Sequence, residues 1–192
     1  MYSLYRYENS LENEPIRLIL NHAGLTYEDN IVNKDIVTNS SKINKYPCLF
    51  SPDGNVIYES NKICKFLAER HGYCCQEESS RSECDYLTEK ALNALIELDK
   101  NGLIDNSGCV NTKILDFVKN METCLPSDGI DFFFGPEITY ADVFLFVLLK
   151  EIVDSGLTIL SNKTKRFYKN FKTKIFDRIG AHLNVSAFTV DV

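Results

Sequence analysis

The 192-residue chain contains no tryptophan, and its longest run of apolar residues, Val143 to Leu149, has only seven members. A helix needs about 20 apolar residues to cross the hydrocarbon core of a bilayer, so this run is too short to span a membrane. The N-terminal segment also lacks the basic and apolar stretches of a signal peptide. We therefore expect no membrane partner.

The sequence has seven cysteines but no Cys-X-X-Cys pair. An odd number of cysteines without a secretory signal argues against a disulfide framework, because such frameworks belong mainly to secreted proteins. A reduced, cytoplasmic protein is the expectation. Glycine loops for phosphate, HExxH and GxSxG are also missing, and the three histidines are scattered, so no metal site is predicted.

The charge balance excludes a second class of partner. The formal net charge is -6 and the isoelectric point is about 5.1. General attraction to nucleic acid requires an excess of basic residues, so we expect no nucleic-acid partner. With 44% hydrophobic and 25% charged residues, the composition is typical of a folded globular chain.

Periodicity divides the chain into two halves. The first half shows strand, helix, strand, a loop with a helical turn, strand, strand and helix, with Pro52-Asp53-Gly54 as a hairpin turn. From about Ser79 the apolar residues repeat with a helical period instead. The polar segment "CCQEESSRS" between the halves has no periodicity and is predicted to be a linker.

A proline opens one of the predicted strands. The bond between Tyr46 and Pro47 is either cis, as in a constrained turn, or trans at the entry of an edge strand. A cis bond would leave the backbone of Tyr46 available to an extended peptide. The local sequence does not decide between the two forms.

Glu59 and Ser60 stand where a strand is followed by a helix. Free backbone donors at a helix N-terminus attract an anion, and the Ser60 hydroxyl adds a donor, while Glu59 offers an acceptor for an ammonium group. The pair therefore suits a ligand that carries both an α-carboxylate and an α-amine. The alternative is ordinary helix capping by serine.

Two further stretches are informative. In "ITYADVFLF", Thr139 and Asp142 have the spacing of a capping box, which predicts a fixed start for a buried helix. In the first strand, "YRYEN", the side chains of Tyr5 and Tyr7 lie on one face and that of Arg6 on the other. One of these faces is expected to meet whatever binds at the strand end.

Taken together, "EPIRLIL..AGLTYED", "YPCL", "DGNVIYESNKICKFLAERHG" and "ITYADVFLF" resemble the cytosolic glutathione transferases, in particular the sigma-like branch of the tyrosine-type classes. The resemblance implies an N-terminal thioredoxin-like domain (βαβαββα) over residues 1–74, a linker over 75–81 and an all-helical domain over 82–192. It also implies a homodimer and glutathione as co-substrate.

The resemblance assigns roles to particular residues. Glu59 and Ser60 would hold the γ-glutamyl end of glutathione, and the backbone of Tyr46, before a cis Pro47, would pair with the cysteinyl part. The glycyl carboxylate usually meets a tryptophan and a lysine in the loop after the second strand. This chain has no tryptophan, so the candidate substitutes are two lysines of that loop, Lys42 and Lys45.

In this family an acidic residue of one subunit often meets the amine of the ligand bound in the other subunit. The candidate here is Asp85, with Glu89 as the alternative. The first strand departs from the family pattern, because an ungapped count back from "EPIR" puts Arg6 where these classes keep the catalytic tyrosine. Tyr7 would take over after a shift of one residue, or Arg6 would itself lower the thiol pKa. In the third alternative, catalysis is lost and binding retained. Related enzymes often have an arginine that assists catalysis, and Glu12 stands at its position in this chain, which argues further against catalysis.

The function implied is conjugation of the glutathione thiolate to small electrophiles, as in detoxification. The alternative is a non-catalytic protein of the same fold that binds ligands or acts as a scaffold.

Overall fold

A computed structural model of the chain describes residues 1–33, 43, 45–104, 108–126 and 130–179. In its first half, a mixed four-stranded sheet has the order β2-β1-β3-β4, with β1 parallel to β2 and antiparallel to β3, and β4 antiparallel to β3. The elements are β1 (Tyr2–Tyr7), α1 (Glu14–His22), β2 (Tyr27–Val32), β3 (Cys48–Phe50), β4 (Val56–Tyr58) and α2 (Ser60–His71). This is the predicted order, and the helical turn expected between β2 and β3 lies outside the described residues.

Local sequence explains where these helices begin and end. Pro15 occupies the first turn of α1, where its missing N–H costs no hydrogen bond. Gly72 ends α2 in the left-handed region, with φ 84°, and donates its N–H to the carbonyl of Ala68. Because a side chain at this φ would be unfavourable, glycine suits the position.

The two faces of β1 have different surroundings. The side chains of Tyr2, Leu4 and Arg6 are buried, whereas those of Tyr5 and Tyr7 are half-buried on the opposite face. The alternation predicted for this strand is therefore present.

The second half consists of helices, as predicted. They are α3 (Arg81–Asn101), α4 (Thr112–Cys124), α5 (Tyr140–Asp154) and α6 (Asn162–Ile179). The capping box at Thr139 and Asp142 starts α5, and the apolar run Val143–Leu149 lies buried in the middle of this half. Among the described helices, none is long and apolar enough to cross a membrane.

The halves share one hydrophobic core. Buried side chains from β1, α1 and α2 belong to the same cluster as those from α3, α4 and α5. The backbone N–H of Tyr140 donates to the carbonyl of Tyr73 over 3.0 Å, which joins the start of α5 to the end of the first half. The boundaries 1–74, 75–81 and 82–192 stay a prediction, because packing is continuous through both halves.

Candidate functional site

The bond between Tyr46 and Pro47 is cis. The sequence left both isomers open, and the structure has the constrained turn. Pro47 directly precedes β3, and its carbonyl accepts a hydrogen bond from the N–H of Glu59 over 3.2 Å. This bond places the start of β3 beside the start of α2. Tyr46, Pro47 and Glu59 are therefore neighbours in space.

Glu59 occupies the N-cap of α2 with φ 73°, a backbone conformation that residues other than glycine rarely adopt. Its carboxylate forms ion pairs with Lys45 and with Lys62, the latter at 2.7 Å. The hydrogen bonds from these two ammonium groups, Lys45 first, hold the pKa of Glu59 below its usual range. With two cations around one carboxylate, this surface is locally positive.

Ser60 is buried, with 1% of its surface exposed, and its hydroxyl donates to the backbone carbonyl of Glu12. This hydrogen bond ties the start of α2 to the segment before α1. The first intrahelical bond runs from the N–H of Ile63 to the carbonyl of Glu59. The amides of Ser60 and Asn61 therefore lie in the part of the helix where N–H groups have no intrahelical acceptor.

Tyr7 and Arg6 point in opposite directions. The ring of Tyr7 lies 5.1 Å from that of Tyr46, next to the cis proline. The guanidinium of Arg6 instead donates to both carboxylate oxygens of Asp29 on β2, with Nε to Oδ1 at 2.7 Å and Nη2 to Oδ2 at 2.9 Å. The side chain of Arg6 is 9% exposed. The structure thus brings Tyr7, and not the side chain of Arg6, towards Tyr46 and Pro47.

Three other residues were predicted to contact the ligand, namely Lys42, Lys45 and Asp85. Lys45 lies beside Glu59, whereas Lys42 lies outside the described residues. Asp85, on α3, accepts a hydrogen bond from the Tyr140 hydroxyl at 2.6 Å and one from the Lys65 ammonium at 2.7 Å. Both oxygens of Asp85 therefore have partners within its own chain.

Two residues near the site were missed by the sequence reasoning. Lys62 stands three residues after Glu59 on the same helix, and this i,i+3 spacing is a signal that could have identified the pair. Asp99, on α3, accepts from the Leu11 N–H at 2.8 Å and from the Ser10 hydroxyl at 3.1 Å, and so fixes the loop after Tyr7. No local pattern indicates a contact between residues so far apart in the chain.

The buried cysteines are poor candidates for a nucleophile. Burial raises the pKa of the thiols of Cys48, Cys64, Cys75 and Cys84, that of Cys48 to about 11. A thiol is reactive as the thiolate, so these side chains are protonated and inert at neutral pH. Within the residues that the structure describes, no cluster of three or more potential ligands has the arrangement of a metal site.

Asp142 is fully buried at the start of α5. It accepts hydrogen bonds from the N–H of Thr139 at 2.8 Å, the hydroxyl of Thr139 at 2.6 Å and the N–H of Phe133 at 2.9 Å. Burial nevertheless outweighs these donors and raises the pKa of the carboxyl to about 6. The contacts support the predicted structural role of this residue.

Comparison with known proteins gives consistent matches along the chain. Residues 14–70 match the family model described as "Glutathione S-transferase, N-terminal domain", and residues 87–190 match "Glutathione S-transferase, C-terminal domain". A comparison with curated protein sequences gave no match.

Solved structures of similar fold include glutathione S-transferases from several organisms. The glutathione S-transferase from Ascaris lumbricoides is 20% identical, with a TM-score of 0.72 over 93% of this chain and 97% of that one. The pi-class enzyme of Onchocerca volvulus is 20% identical, with a TM-score of 0.77 over 94% and 91%. The sigma-class enzyme of Fasciola hepatica is 23% identical, with a TM-score of 0.68 over 98% and 97%. At these identities, the similarity establishes the fold, with a thioredoxin-like first domain and a helical second one.

Proposed function

The chain belongs to the glutathione S-transferase family, and from that premise we propose that it binds reduced glutathione beside Tyr46, Pro47 and Glu59 and conjugates its thiolate to small electrophiles. The γ-glutamyl end would lie at Glu59 and the amides of the first turn of α2. The cysteinyl part would pair with the backbone of Tyr46, and the glycyl carboxylate would meet Lys45 or Lys42.

The conformation of Glu59 carries this proposal. A non-glycine residue held at positive φ costs about 1–3 kcal/mol, and such residues cluster at ligand sites where the surrounding structure holds them in place. Here the hydrogen bond from the N–H of Glu59 to the carbonyl of Pro47 holds the residue. The same bond keeps the strand entry and the helix start side by side, as a peptide bound along both would require.

Electrostatics support the same ligand. Lys45 and Lys62 together outweigh the charge of Glu59, and glutathione is an anion at neutral pH. A positive surface at a helix N-terminus attracts carboxylates. Glu59 remains the acceptor for the α-ammonium group of the ligand, for which one of the two lysines would move aside.

Tyr7 is the proposed catalytic residue. Its position near Tyr46 suits a hydroxyl that donates to the sulfur of glutathione and so lowers the pKa of the thiol. With a chlorinated aromatic substrate, the thiolate would attack the ring carbon, the carbon–sulfur bond would form and chloride would leave with its electron pair. The Arg6 guanidinium is bonded to Asp29 and is not proposed to touch the sulfur.

A non-catalytic ligand-binding or scaffold role is the second candidate. Two observations favour it: an arginine occupies the position expected for the catalytic tyrosine, and the hydroxyl of Ser60 is already donated to Glu12. This role would keep the fold and the ligand site without turnover.

The family also leads us to propose a cytoplasmic homodimer with a role in detoxification. In such a dimer Asp85 would meet the ligand of the other subunit, in addition to its partners Lys65 and Tyr140. The neighbouring side chain of Tyr86 is 58% exposed on α3, as a residue available to a second subunit would be.

The decisive experiment compares Tyr7→Phe with Tyr5→Phe. Both tyrosines lie on the same face of β1, but Tyr5 packs against Phe50, at 5.5 Å between rings. We expect Tyr7→Phe to lower kcat/KM with a chlorinated aromatic by about 100-fold or more, the loss typical of a donor to a reacting anion. Tyr5→Phe should stay close to the wild type.

Retention on immobilised glutathione separates the candidates further. Binding with turnover supports the transferase, and binding without turnover supports the ligand-binding protein. A folded wild-type chain that does not bind glutathione would contradict both and leave the scaffold role.

A further inference from the structure

Two buried side chains donate to the backbone carbonyl of Tyr7, at the end of β1. Nδ2 of Asn13 donates to this oxygen over 3.0 Å, and Nη1 of Arg6 donates to it over 3.4 Å. Asn13 is 1% exposed and Arg6 is 7% exposed. The last residue of β1 is therefore held through its backbone by donors that solvent hardly reaches.

The side-chain amide of Asn13 has a partner on one side only. Its Oδ1 is buried, and no residue in the described part of the chain donates a hydrogen bond to it. The opposite orientation of the amide would place Oδ1 against the Tyr7 carbonyl, so that two acceptors would face each other. Because a buried acceptor without a donor is unfavourable, stability alone would favour an apolar side chain of the same shape. What such a side chain could not supply is the donor Nδ2.

The segment that contains Asn13 connects Tyr7 to the helix of the proposed ligand site. The backbone carbonyl of Glu12 accepts the hydrogen bond from the hydroxyl of Ser60, at the start of α2. The backbone N–H of Asn13 donates to the carbonyl of Ser10 over 3.1 Å and closes a tight turn. One short segment thus contacts the end of β1 on one side and the start of α2 on the other.

We propose that Asn13 is a positioning residue, whose Nδ2 holds the backbone of Tyr7 so that the phenol lies where it can donate to the sulfur of bound glutathione. This inference rests on the proposed function, because Asn13 acts only through Tyr7. Asn13 is buried and does not itself touch the ligand. A misplacement of about 1 Å can lower a rate by about 100-fold, so the loss of one of the two donors should affect the reaction more than the fold.

The test compares Asn13→Leu with the wild type and with Asn93→Leu, the same change at an exposed position of α3. Leucine has nearly the shape of asparagine but no donor. At saturating glutathione we expect kcat with a chlorinated aromatic to fall about tenfold or more in Asn13→Leu, with KM for glutathione nearly unchanged, because the reacting geometry is altered and binding is not. Asn93→Leu should behave like the wild type.

Stability distinguishes positioning from a purely structural role. The urea midpoint of Asn13→Leu should stay near that of the wild type or rise, because removal of the unpaired Oδ1 offsets the lost hydrogen bond. A purely structural asparagine would give the reverse pattern, with a lower midpoint and an unchanged kcat of the folded protein.

The thiol of bound glutathione gives a direct readout. The ultraviolet absorbance of the thiolate, followed against pH, reports the pKa of this thiol in the complex. In Asn13→Leu that pKa should rise by about one unit towards the value of a free thiol, which leaves about tenfold less thiolate at any pH below it. Asn93→Leu should leave the pKa of the thiol unchanged.

A double-mutant cycle tests whether Asn13 acts through Tyr7. In the Tyr7→Phe background no hydroxyl remains to be positioned, so Asn13→Leu should have little further effect on kcat. If Asn13→Leu does not fold, Asn13→Ala removes the same donor with a smaller side chain and should give the same kinetic pattern.

Three results would overturn the inference. They are a wild-type kcat and thiol pKa in a folded Asn13 variant, a loss confined to KM for glutathione, and an equal loss from Asn13→Leu with and without the Tyr7 hydroxyl. The proposed function is decided by the wild type and Tyr7→Phe, both of which keep Asn13. A slow Tyr7→Phe beside a fast Asn13→Leu would contradict this inference alone, whereas a wild type without turnover would contradict the transferase and the inference together.

Discussion

Replacing Asp142 by asparagine tests the balance between burial and hydrogen bonding at the start of α5. The folded-state pKa of about 6 exceeds the ordinary value of 3.8, so the folded chain binds the proton more tightly than the unfolded chain does. The stability that this group contributes is fully present below pH 3.8 and is lost as the pH rises through about 6. The asparagine variant has no such group.

The size of the effect follows from these two values. One pKa unit corresponds to about 1.36 kcal/mol, so the full difference is about 3 kcal/mol, of which about 2 kcal/mol falls between pH 7.5 and 4.5. At pH 7.5 the variant should already be about 1–3 kcal/mol less stable, because its amide group turns a donor towards the N–H groups of Thr139 or Phe133. At pH 4.5 the deficit relative to the wild type should be about 2 kcal/mol larger.

The assay is urea unfolding of both proteins at several pH values between 4.5 and 7.5, followed by circular dichroism. Asp116→Asn is the control, since Asp116 is exposed on α4 and its replacement should give a difference that hardly changes with pH. A constant deficit for Asp142→Asn would refute the reasoning. A deficit that shrinks as the pH falls would mean that the three donors outweigh burial and that the pKa lies below its ordinary value.

Three other substitutions probe the surroundings of the candidate site. Asp29→Asn leaves the buried guanidinium of Arg6 without its carboxylate and should cost about 1–3 kcal/mol of unfolding free energy in urea titrations, because the side chain of Asp29 itself is 27% exposed. Glu28→Gln on the same strand should cost about 1 kcal/mol or less, and equal losses would contradict the pairing. Asp99→Asn weakens the hydrogen bonds that hold the loop after β1 and should lower the free energy of unfolding by about 1 kcal/mol. Amide hydrogen exchange in that loop should become faster, and unchanged exchange would contradict the role of Asp99 in holding it. Glu59→Gln should change stability by about 1 kcal/mol or less, because both of its lysine partners are exposed, so a loss of several kcal/mol by thermal unfolding would show that the ion pairs are structural.

The order of elements was predictable because each signal is local. Proline in the first turn of α1, glycine after α2 and the capping box before α5 act within a few residues of one another. The cis form of the bond before Pro47 was not predictable in this way, since local sequence allows both isomers and tertiary structure selects one. The same limit applies to Ser60, whose hydroxyl is donated to a carbonyl 48 residues away.

The opposite directions of the Arg6 and Tyr7 side chains have one physical cause. Side chains alternate along a strand, so fixing the direction of one fixes the other. The carboxylate that fixes Arg6 belongs to Asp29 on β2, which also lies 3.4 Å from Nε of Arg17 on α1. A buried arginine needs such a partner, because an unpaired charge in the interior is costly. The ion pair between Arg6 and Asp29 therefore fixes the side chain of Tyr7 on the opposite face of β1, where Tyr46 lies. A ligand beside the cis proline would meet the phenol of Tyr7 and not the guanidinium of Arg6.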